Sequence, residues 1–551
     1  MPSIPRLVAP AVLGLALVAV PVATPAYAAG TAAATALAAN QASHDDTADH
    51  TWNESDVAAV TLTGSSATTT SSNVTVSGST VTVTAAGTYR FSGSLTSGQI
   101  VVNSTGTGIV RLILNGVTIS GSAAAVSVVA ADEVLINLQA GSTNRLTATA
   151  AHAVDSAADL TIDGTGALVV TSSANDGINS ADGLVIDAGA ITVTAGDDAI
   201  RGQDYVIVNG GTITATAGGD GLKSDNDADT TRGYVYVSGG TVGVTATGDA
   251  ITAETDVLVA GGAITAKSGG GSSVTPGDTS AKGLKAGVLV AISDGTVTAD
   301  SSDDGVHSDA AVTVDGGTTT VATGDDGLHA ETNVTISAGA VTVTKSNEGI
   351  EGLKVYLTGG TVKSTASDDA VNASDPTYEE MQNSPNALVS VTGGTVLVDA
   401  GTDGLDSNGA LTLGGGTVVV AGSATRGGGE GGLDSNGALT ITGGTIYSTG
   451  ISATTSTLPT SGQGWVSVTF SANQAAGTIV HLATTSGTQI ASYQSTKAFK
   501  AVVFSSSSIT RGTTYAVYTG GSVSGTSVGG GLYTGGTLSG TQVTTVTAGT
   551  R

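Results

Sequence analysis

The sequence contains no cysteine, few aromatic residues and few charges. Phe, Trp and Tyr make up 3 % of the 551 residues, and Asp, Glu, Lys and Arg together make up 11 %. Without cysteine the chain forms no disulfide and has no thiolate metal site or lipidated cysteine. Large apolar and aromatic side chains fill most globular cores. Their scarcity favours an elongated stack of short strands, in which each layer contacts only its neighbours.

Basic residues are scarcer than acidic ones. The chain has 18 Lys and Arg against 45 Asp and Glu, which gives a formal net charge of −27. Such a surface repels nucleic acid and anionic lipid headgroups. We therefore expect neither nucleic acid nor a membrane as a partner, and we expect a monomer.

Long apolar runs are also absent, except near the N-terminus. Residues 1–28 combine Arg6, an apolar stretch over 7–22 and the cleavage-site pattern Ala26, Tyr27, Ala28. This pattern predicts a signal peptide that is removed after Ala28, and therefore a secreted, extracellular protein. Residues 29–57 are rich in Ala, Thr and Asp and are interpreted as a linker.

Glycine is abundant, and it marks an internal repeat. A unit of a small residue, Gly, Thr or Ala, and Val or Ile recurs about every 22 residues, with short alternating apolar runs between its copies. Leucine-rich repeats have a similar length, but their Leu and Asn pattern is missing. The repeat predicts an all-β fold: a parallel β-helix over residues 58–455, followed by a small C-terminal β module over 456–551. The glycines of the unit are Gly189, Gly211, Gly240, Gly262, Gly295, Gly317, Gly339, Gly360, Gly394, Gly416 and Gly444.

A second, acidic unit runs in phase with the glycine unit and is often doubled. Residues one period apart lie above one another in a β-helix, where like charges repel by roughly 1–4 kcal/mol per pair. Cations between them relieve this repulsion, and oxygen ligands in flexible turns suit Ca²⁺. The alternative interpretation is that these acids form Asx turns. The predicted Ca²⁺ ligands are Asp197, Asp198, Asp220, Asp303, Asp304, Asp325, Asp326, Glu348, Asp368 and Asp369.

The residue three positions after each acid forms another column, basic in its first half and acidic in its second. Arg201, Lys223 and Lys285 are the candidates for binding the carboxylate of an acidic sugar. The alternative is that they form salt bridges with the acids. His307 lies one period before His329, but without a third ligand we expect both histidines to be solvated.

Several longer motifs resemble a known family. They are 219–226 with 233–236, 345–352, 404–409 with its copy at 432–437, and 87–93 with 114–117. Together they resemble secreted bacterial carbohydrate-binding proteins with a calcium-containing, pectate-lyase-like β-helix, associated with cellulose and polygalacturonate. The resemblance implies a right-handed β-helix, Ca²⁺ between coils and binding without established catalysis. Lys282 replaces the acid of the repeat in one coil, and in another coil the acid, Glu430, and the following Gly431 do not keep the spacing of the repeat. Both coils are therefore doubtful as Ca²⁺ sites.

Three functions fit these observations. The favoured one is a non-catalytic protein that binds plant-wall polysaccharide, which is polygalacturonate, cellulose or both. Ca²⁺ would bridge the acidic sugars to the acidic protein. The first alternative is a pectate-type polysaccharide lyase, with Arg201, Lys223 or Lys285 as the base. The second is a calcium-stabilised structural or adhesion rod. No catalytic residue is assigned. The aromatic side chains available to bind cellulose are Tyr205, Tyr234, Tyr236, Tyr356, Tyr378 and Tyr447.

Overall fold

The main body of the protein is a parallel β-helix of about 15 turns, as the repeat predicts. The computed structural model describes residues 30–379, 381–425 and 431–549. The predicted signal peptide and Glu430 lie outside these residues. Equivalent strands of successive coils pair in parallel with a 22-residue offset, as between Ala190 and Thr212. The expectation of an all-β chain with a β-helix and a small C-terminal β unit is confirmed.

Each coil contributes strands to three long sheets, numbered in the order in which the chain meets them. Sheet 1 contains the shortest strands. They are Thr80–Val83, Gln99–Asn103, Val126–Ala130, Val154–Ser156, Ile178–Ser180, Ile200–Gly202, Leu222–Ser224, Ile251–Ala253, Leu284–Ala286, Val306–Ser308, Asn372–Ala373 and Asp406–Ser407.

Sheet 2 follows after a tight corner. Its strands are Glu133–Leu138, Asp159–Gly164, Gly183–Ile186, Tyr205–Val208, Tyr234–Val237, Ala311–Val314, Leu388–Val391, Ala410–Leu413 and Leu439–Ile441. Two longer strands, Leu328–Ile336 and Ile350–Leu357, contribute to both sheet 1 and sheet 2.

Sheet 3 completes the coil. Its strands are Thr143–Ala148, Ala167–Ser172, Ala190–Ala195, Thr212–Ala217, Thr241–Ala246, Thr318–Thr323, Ala340–Lys345, Thr361–Thr365, Thr395–Asp399, Thr417–Ala421 and Thr445–Gly450. Four long strands turn from sheet 2 into sheet 3, and they are Gly87–Thr96, Ile109–Gly121, Asp256–Ser268 and Leu289–Ser301.

The glycine unit forms the corner between sheets 2 and 3. Gly240 has a φ of +78° there, and a Cβ atom on it would lie 2.8 Å from the carbonyl oxygen of Gly211 in the preceding coil. Both the positive φ and the close approach of the two backbones favour glycine. The repeat spacing therefore follows from the geometry of one corner.

The core is a column of Val, Ile, Leu and Ala inside the three sheets. In sheet 3 the burial alternates, as in Ala190–Ala195, where every second side chain faces inward. In sheet 2 the strands Gly183–Ile186 and Tyr205–Val208 are buried on both faces. Something must therefore cover the outer face of sheet 2.

Residues 30–57, here called the N-terminal strap, provide that cover. The strap contains an α-helix, Ala32–Leu37, and a 3-10 helix, Glu54–Asp56. It starts beside Asp315, whose Oδ2 accepts the Ala32 N–H at 2.8 Å, and it runs toward the first coils. There, the Arg111 Nε donates to the Asp49 carbonyl oxygen at 2.6 Å. The segment interpreted as a linker thus packs along the outer face of sheet 2.

Both ends of the β-helix are closed by antiparallel strands. At the first coils, Ala58–Gly64 pairs with Ala67–Thr69, and Val74–Ser77 pairs with Thr80–Val83. At the other end, Phe499–Ser505 pairs with Thr445–Gly450 at the edge where another coil would continue sheet 3. Covering such an edge removes a site of strand-to-strand association.

The C-terminal unit forms its own sheet and packs on the last coils. Trp465–Gln474 pairs with Phe499–Ser505. Tyr447 of the β-helix stacks on Tyr493 of this unit, with ring centroids 4.2 Å apart. The six strands of the separate sheet are, in spatial order, Thr526–Gly529, Leu532–Thr534, Gln489–Gln494, Ile479–Thr484, Thr514–Thr519 and Thr541–Thr547.

Candidate functional site

The acidic units lie at the corner just before sheet 1, where they form a carboxylate ladder. Most of the inner ladder acids accept a backbone N–H from the next coil. The Asp220 N–H donates to Asp198 Oδ1 at 2.7 Å, and the Asp249 N–H donates to Asp220 Oδ1 at 2.9 Å. One oxygen of each carboxylate therefore holds two coils in register, and the other oxygen faces the side chains around it.

The same contacts continue in the second half of the ladder. The Asp326 N–H donates to Asp304 Oδ1 at 3.1 Å, and the Glu348 N–H donates to Asp326 Oδ1 at 3.3 Å. Further on, the Asp403 N–H donates to Asp369 Oδ1 at 2.8 Å. Asp403 is thus a ladder member that the predicted ligand set omits, although its Asp-Gly-Leu motif is visible in the sequence.

Within the described part of the chain, the ladder contains clusters of three carboxylates that lie closely enough to share a cation. Two oxygens on opposite sides of a Ca²⁺ ion are separated by about 4.6–5.2 Å. In each cluster the ligand oxygens lie within 4.8 Å of one another. The donor set therefore fits the cation that the acidic repeat predicts. Two of these clusters are Asp176, Asp197 and Asp198, and Asp303, Asp304 and Asp325.

The second column, three residues after the acids, is continuous along sheet 1. Each member is the register partner of the next, so one line of side chains runs beside the ladder. Its members, in order, are Asn179, Arg201, Lys223, Thr252, Lys285, His307, His329, Glu351, Asn372 and Asp406.

The two lysines predicted to bind sugar carboxylates contact ladder acids. Lys223 Nζ lies 2.9 Å from Asp220 Oδ2 and 3.1 Å from Asp198 Oδ2. Lys285 Nζ lies 3.7 Å from Asp249 Oδ2. Although burial opposes the charged amine, hydrogen bonds and charges from Asp220 and Asp198 raise the pKa of Lys223. A protonated lysine cannot accept a proton, so this geometry does not suit Lys223 to the role of a lyase base.

Arg201 is also paired. Its guanidinium donates from Nε to Asp225 Oδ2 at 2.9 Å and toward Asn179 Oδ1 at 2.8 Å. Salt bridging with the ladder acids therefore describes Lys223 and Lys285, whereas Arg201 pairs with Asp225 outside the ladder. Their role in binding a sugar carboxylate remains a prediction.

Lys282 occupies the ladder position where the acid is missing. Its Nζ lies 2.7 Å from Asp303 Oδ2 and 3.1 Å from Asp304 Oδ2, and its side chain is only 13 % exposed. It brings one positive charge into the second carboxylate cluster. Lys223 contacts Asp198 of the first cluster in the same way. The first cluster is nevertheless the more accessible to a metal ion, because its Asp197 is exposed at the surface.

Beyond Lys282 the ladder acids are buried beside other acids. Burial, followed by the charge of Glu351, raises the pKa of Glu348 to about 8. Burial raises the pKa of Asp403 to about 8 against a hydrogen bond from Gly431, and the charge of Asp369 adds to it. Carboxyls in this state hold a proton or need a cation.

The expectation of two solvated histidines is wrong. His307 is 8 % exposed, and its ring meets that of His329 edge-on at a centroid distance of 5.0 Å. A third candidate ligand, Asp304, lies within reach of both. Asp304 lies three residues before His307 in the same coil. The acidic unit therefore supplies the third candidate metal ligand that the two-histidine pattern lacks.

Three of the tyrosines considered as sugar platforms are covered. Tyr205 and Tyr234 are fully buried, with stacked rings 5.3 Å apart. The N-terminal strap covers them, since the His44 backbone N–H donates to the Tyr205 hydroxyl and the Tyr234 hydroxyl donates to the Gln41 carbonyl. Tyr447 is buried against the C-terminal unit. The sequence indicates this cover through two consecutive strands of sheet 2, Gly183–Ile186 and Tyr205–Val208, which are apolar on both faces.

The chain is similar to known proteins in two comparisons. Residues 77–327 match the family model described as carbohydrate-binding domain-containing protein. A solved structure, the gadolinium derivative of the polysaccharide lyase-like protein from C. thermocellum, shares 30 % identity over 38 % of this chain and 93 % of that chain, with a TM-score of 0.35. No curated protein matches the sequence. Within the described residues, no helix has the length and apolar character needed to cross a membrane.

Proposed function

We infer that the chain is a carbohydrate-binding β-helix protein, because residues 77–327 match the family model of a carbohydrate-binding domain-containing protein and form part of the β-helix. We propose that it is secreted, acts without catalysis and binds acidic plant-wall polysaccharide such as polygalacturonate. In this proposal Ca²⁺ bridges the carboxylates of the ladder to those of the polymer.

The observation that carries the proposal is the cluster of Asp176, Asp197 and Asp198. These three carboxylates bring ligand oxygens within 4.8 Å of one another, and Asp197 is exposed at the surface. Ca²⁺ takes six to eight oxygen ligands, more than three side chains supply. A bound Ca²⁺ would therefore keep coordination positions open toward a uronate on the solvent side.

The charge of the protein supports a bridged mode of binding. A chain of net charge −27 repels a polyanion unless cations stand between them. Arg201 and Lys223 lie one and two coils beyond Asn179 in the same line and would contact sugar carboxylates beside the cation. Buried Tyr205 and Tyr234 disfavour a flat aromatic platform, so we favour the acidic polymer over cellulose.

The test is retention of the mature protein on polygalacturonate and on cellulose, with Ca²⁺ and then with EDTA. We expect retention on polygalacturonate with Ca²⁺, release by EDTA, and no formation of the ultraviolet-absorbing unsaturated product of a lyase. The double variant Asp197→Asn, Asp198→Asn should lose retention. Asp294→Asn is the matched control, because Asp294 is exposed at a different corner of the coil.

Each other outcome contradicts a part of the proposal. Unsaturated product would make the protein a pectate-type lyase. Retention on cellulose but not on polygalacturonate would make the ligand a neutral glucan instead of an acidic polysaccharide. Ca²⁺-dependent melting without retention on either polymer would leave a calcium-stabilised rod. A mature N-terminus other than residue 29 on the exported protein would contradict the predicted cleavage after Ala28.

A further inference from the structure

His307 is held between two carboxylates. Its Nδ1 lies 2.8 Å from Asp304 Oδ2, and its Nε2 lies 3.0 Å from Asp309 Oδ1. Asp304 is 3 % exposed, whereas the Asp309 side chain is 61 % exposed. The imidazole therefore has an inner contact and an outer contact, and the outer one fixes the orientation of the ring.

His329 lies directly beyond His307 in the next coil. Its Nδ1 is 3.7 Å from Asp304 Oδ2 and 3.6 Å from Asp326 Oδ2. One ligand atom each from Asp304, His307 and His329 falls within 4.8 Å of the others. Two imidazoles and a buried carboxylate thus face a common point between two coils.

The neighbouring coil adds further oxygen donors on the same side. Asp326, His329 and Glu351 form a second set with ligand atoms within 4.8 Å, so His329 is common to both sets. A surface cavity of about 190 Å³ is lined by His329 and Glu351. The cavity therefore reaches the donor cluster from its His329 side.

These donors suit a transition metal better than calcium. Ca²⁺ binds oxygen ligands, whereas imidazole nitrogen favours Zn²⁺ and related ions. Tetrahedral Zn²⁺ with ligand bonds of 2.0–2.1 Å separates its ligand atoms by about 3.3–3.4 Å. The distances of 2.8 and 3.7 Å from Asp304 Oδ2 to the two histidines bracket that value. Small side-chain shifts would accommodate the ion.

The contact of His307 with Asp309 strengthens the assignment. Zinc-ligating histidines commonly donate the second ring N–H to a carboxylate, which fixes the tautomer and makes the ligating nitrogen more basic. Here Nε2–H would donate to Asp309 and leave Nδ1 for the metal. An imidazolium that merely neutralised Asp304 would not require a second imidazole, that of His329, near the same carboxylate oxygen.

We propose that Asp304, His307 and His329 form a binding site for Zn²⁺ or a closely related divalent transition metal, with Asp326 or Glu351 as an additional ligand. This site lies one coil beyond the Lys282 position and is separate from the proposed calcium cluster at Asp176, Asp197 and Asp198. Its ion would join two coils in the second half of the ladder.

The test is titration of the full mature protein, first stripped with a chelator and then exchanged into buffer with Ca²⁺, using Zn²⁺ alone as the probe. We expect one Zn²⁺ per chain at this site, not displaced by excess Ca²⁺. Co²⁺ should give the visible absorption of a nitrogen- and oxygen-ligated tetrahedral centre. This readout needs no polysaccharide, so it is independent of the proposed function.

Variants decide whether the named residues bind the ion. His307→Gln and His329→Gln should each weaken Zn²⁺ binding by about 100-fold or more, and Asp309→Asn by roughly 10–100-fold. His152→Gln is the matched control, because His152 also contacts a ladder acid, Asp176, but lies far along the ladder from the site. Circular dichroism of the metal-free variants establishes that each one is folded.

Two results would overturn the proposal. One is wild-type protein that fails to bind Zn²⁺ in preference to Ca²⁺. The other is binding that survives in both His307→Gln and His329→Gln, or that falls equally in His152→Gln. If a single histidine variant unfolds, the remaining one and the Asp309→Asn variant still decide the assignment.

Discussion

The two halves of the carboxylate ladder share one backbone geometry but differ in the groups that face them. From Asp176 to Asp249, the neighbouring column supplies Arg201, Lys223 and Lys285. From Asp304 onward, the same column supplies histidine, then Glu351, Asn372 and Asp406. In the N-terminal half, Lys223 and Lys285 thus neutralise part of the charge of Asp198, Asp220 and Asp249, and the proposed calcium cluster lies around the exposed Asp197. From Glu348 onward, the C-terminal half relies on protons or added cations.

This difference shows that repetition of a backbone unit does not repeat its electrostatics. The N–H donated to each ladder acid is the same in both halves. Burial raises the pKa of Asp198 and Asp249 in the N-terminal half as well, but there the charges of Lys223 and Lys285 oppose the rise. Asp304 shows the effect within one coil: although burial would raise its pKa, hydrogen bonds from His307 and His329 and the charge of Lys282 lower it. Two coils later, Glu348 is buried beside Glu351, Asp369 and Asp368, and its pKa is raised instead.

The largest expected effect is a loss of stability with rising pH in the presence of a chelator. The pKa of Glu348 rises from 4.5 to about 8, and that of Asp403 rises from 3.8 to about 8, mainly through burial. A carboxyl with a raised pKa in the folded state stabilises the fold below its unfolded value, and this contribution is lost as the pH rises through the folded value. The melting temperature should therefore fall between pH 4.5 and pH 8.

The origin of that pH dependence is tested by removing the titrating groups. Glu348→Gln and Asp403→Asn should flatten the decline, whereas the exposed control Asp294→Asn should leave it unchanged. Added Ca²⁺ should also reduce the slope, because the cation replaces the proton. Equal slopes in all variants would place the pH dependence elsewhere in the molecule.

The second largest effect is expected at the boundary between the halves. Lys282→Met removes the amine that contacts both Asp303 and Asp304 and leaves two largely buried carboxylates without it. Breaking such a pair from one side costs about 3 kcal/mol. Denaturant unfolding at neutral pH measures this change, with Lys282→Arg as the charge-conserving control. Ca²⁺ should restore part of the lost stability, and a Lys282→Met variant as stable as the wild type would contradict the boundary role.

A smaller effect is expected inside the N-terminal half. Lys223→Met removes the amine between Asp198 and Asp220, but the Lys223 side chain is 28 % exposed, so water screens part of the interaction. We expect a loss of about 1–2 kcal/mol. In the presence of a chelator, the stability of the variant should also fall more steeply with rising pH than that of the wild type. The reason is that Asp198 and Asp220 would then lack this neighbouring amine and face other acids, as Glu348 does. An unchanged slope would mean that Lys223 does not account for the difference between the halves.

Much of this arrangement follows from the sequence because the repeat has a fixed period. A 22-residue offset places Arg201 beside Lys223 and His307 beside His329, and the register of sheet 1 shows these pairs. The corner glycines and the acidic unit are set by the same local geometry in every coil. Neighbour relations along the rod are therefore predictable from spacing alone.

Contacts that do not repeat could not be predicted in this way. The N-terminal strap reaches Asp315 and Arg111 from more than 60 residues away, and no periodic pattern marks its path. Spacing also gives the position of a side chain but not its direction. For that reason the spacing does not identify Asp304 as a partner of His307 and His329, and it marks Lys282 only as a missing acid.

The smallest expected effect tests whether the burial of an ion pair, rather than the total charge of the chain, determines the stability of the β-helix. Lys267 and Asp300 form an ion pair on the outer face of sheet 3, with Nζ 3.7 Å from Oδ2 and with side chains 47 % and 44 % exposed. Exposed pairs of this kind contribute about 0–1 kcal/mol. Lys267→Met should therefore change the free energy of unfolding by less than about 0.5 kcal/mol, measured under the same conditions as Lys282→Met. If both lysine variants lost equal stability, the net negative charge of the chain, rather than the desolvated carboxylates beside Lys282, would control the stability of the β-helix.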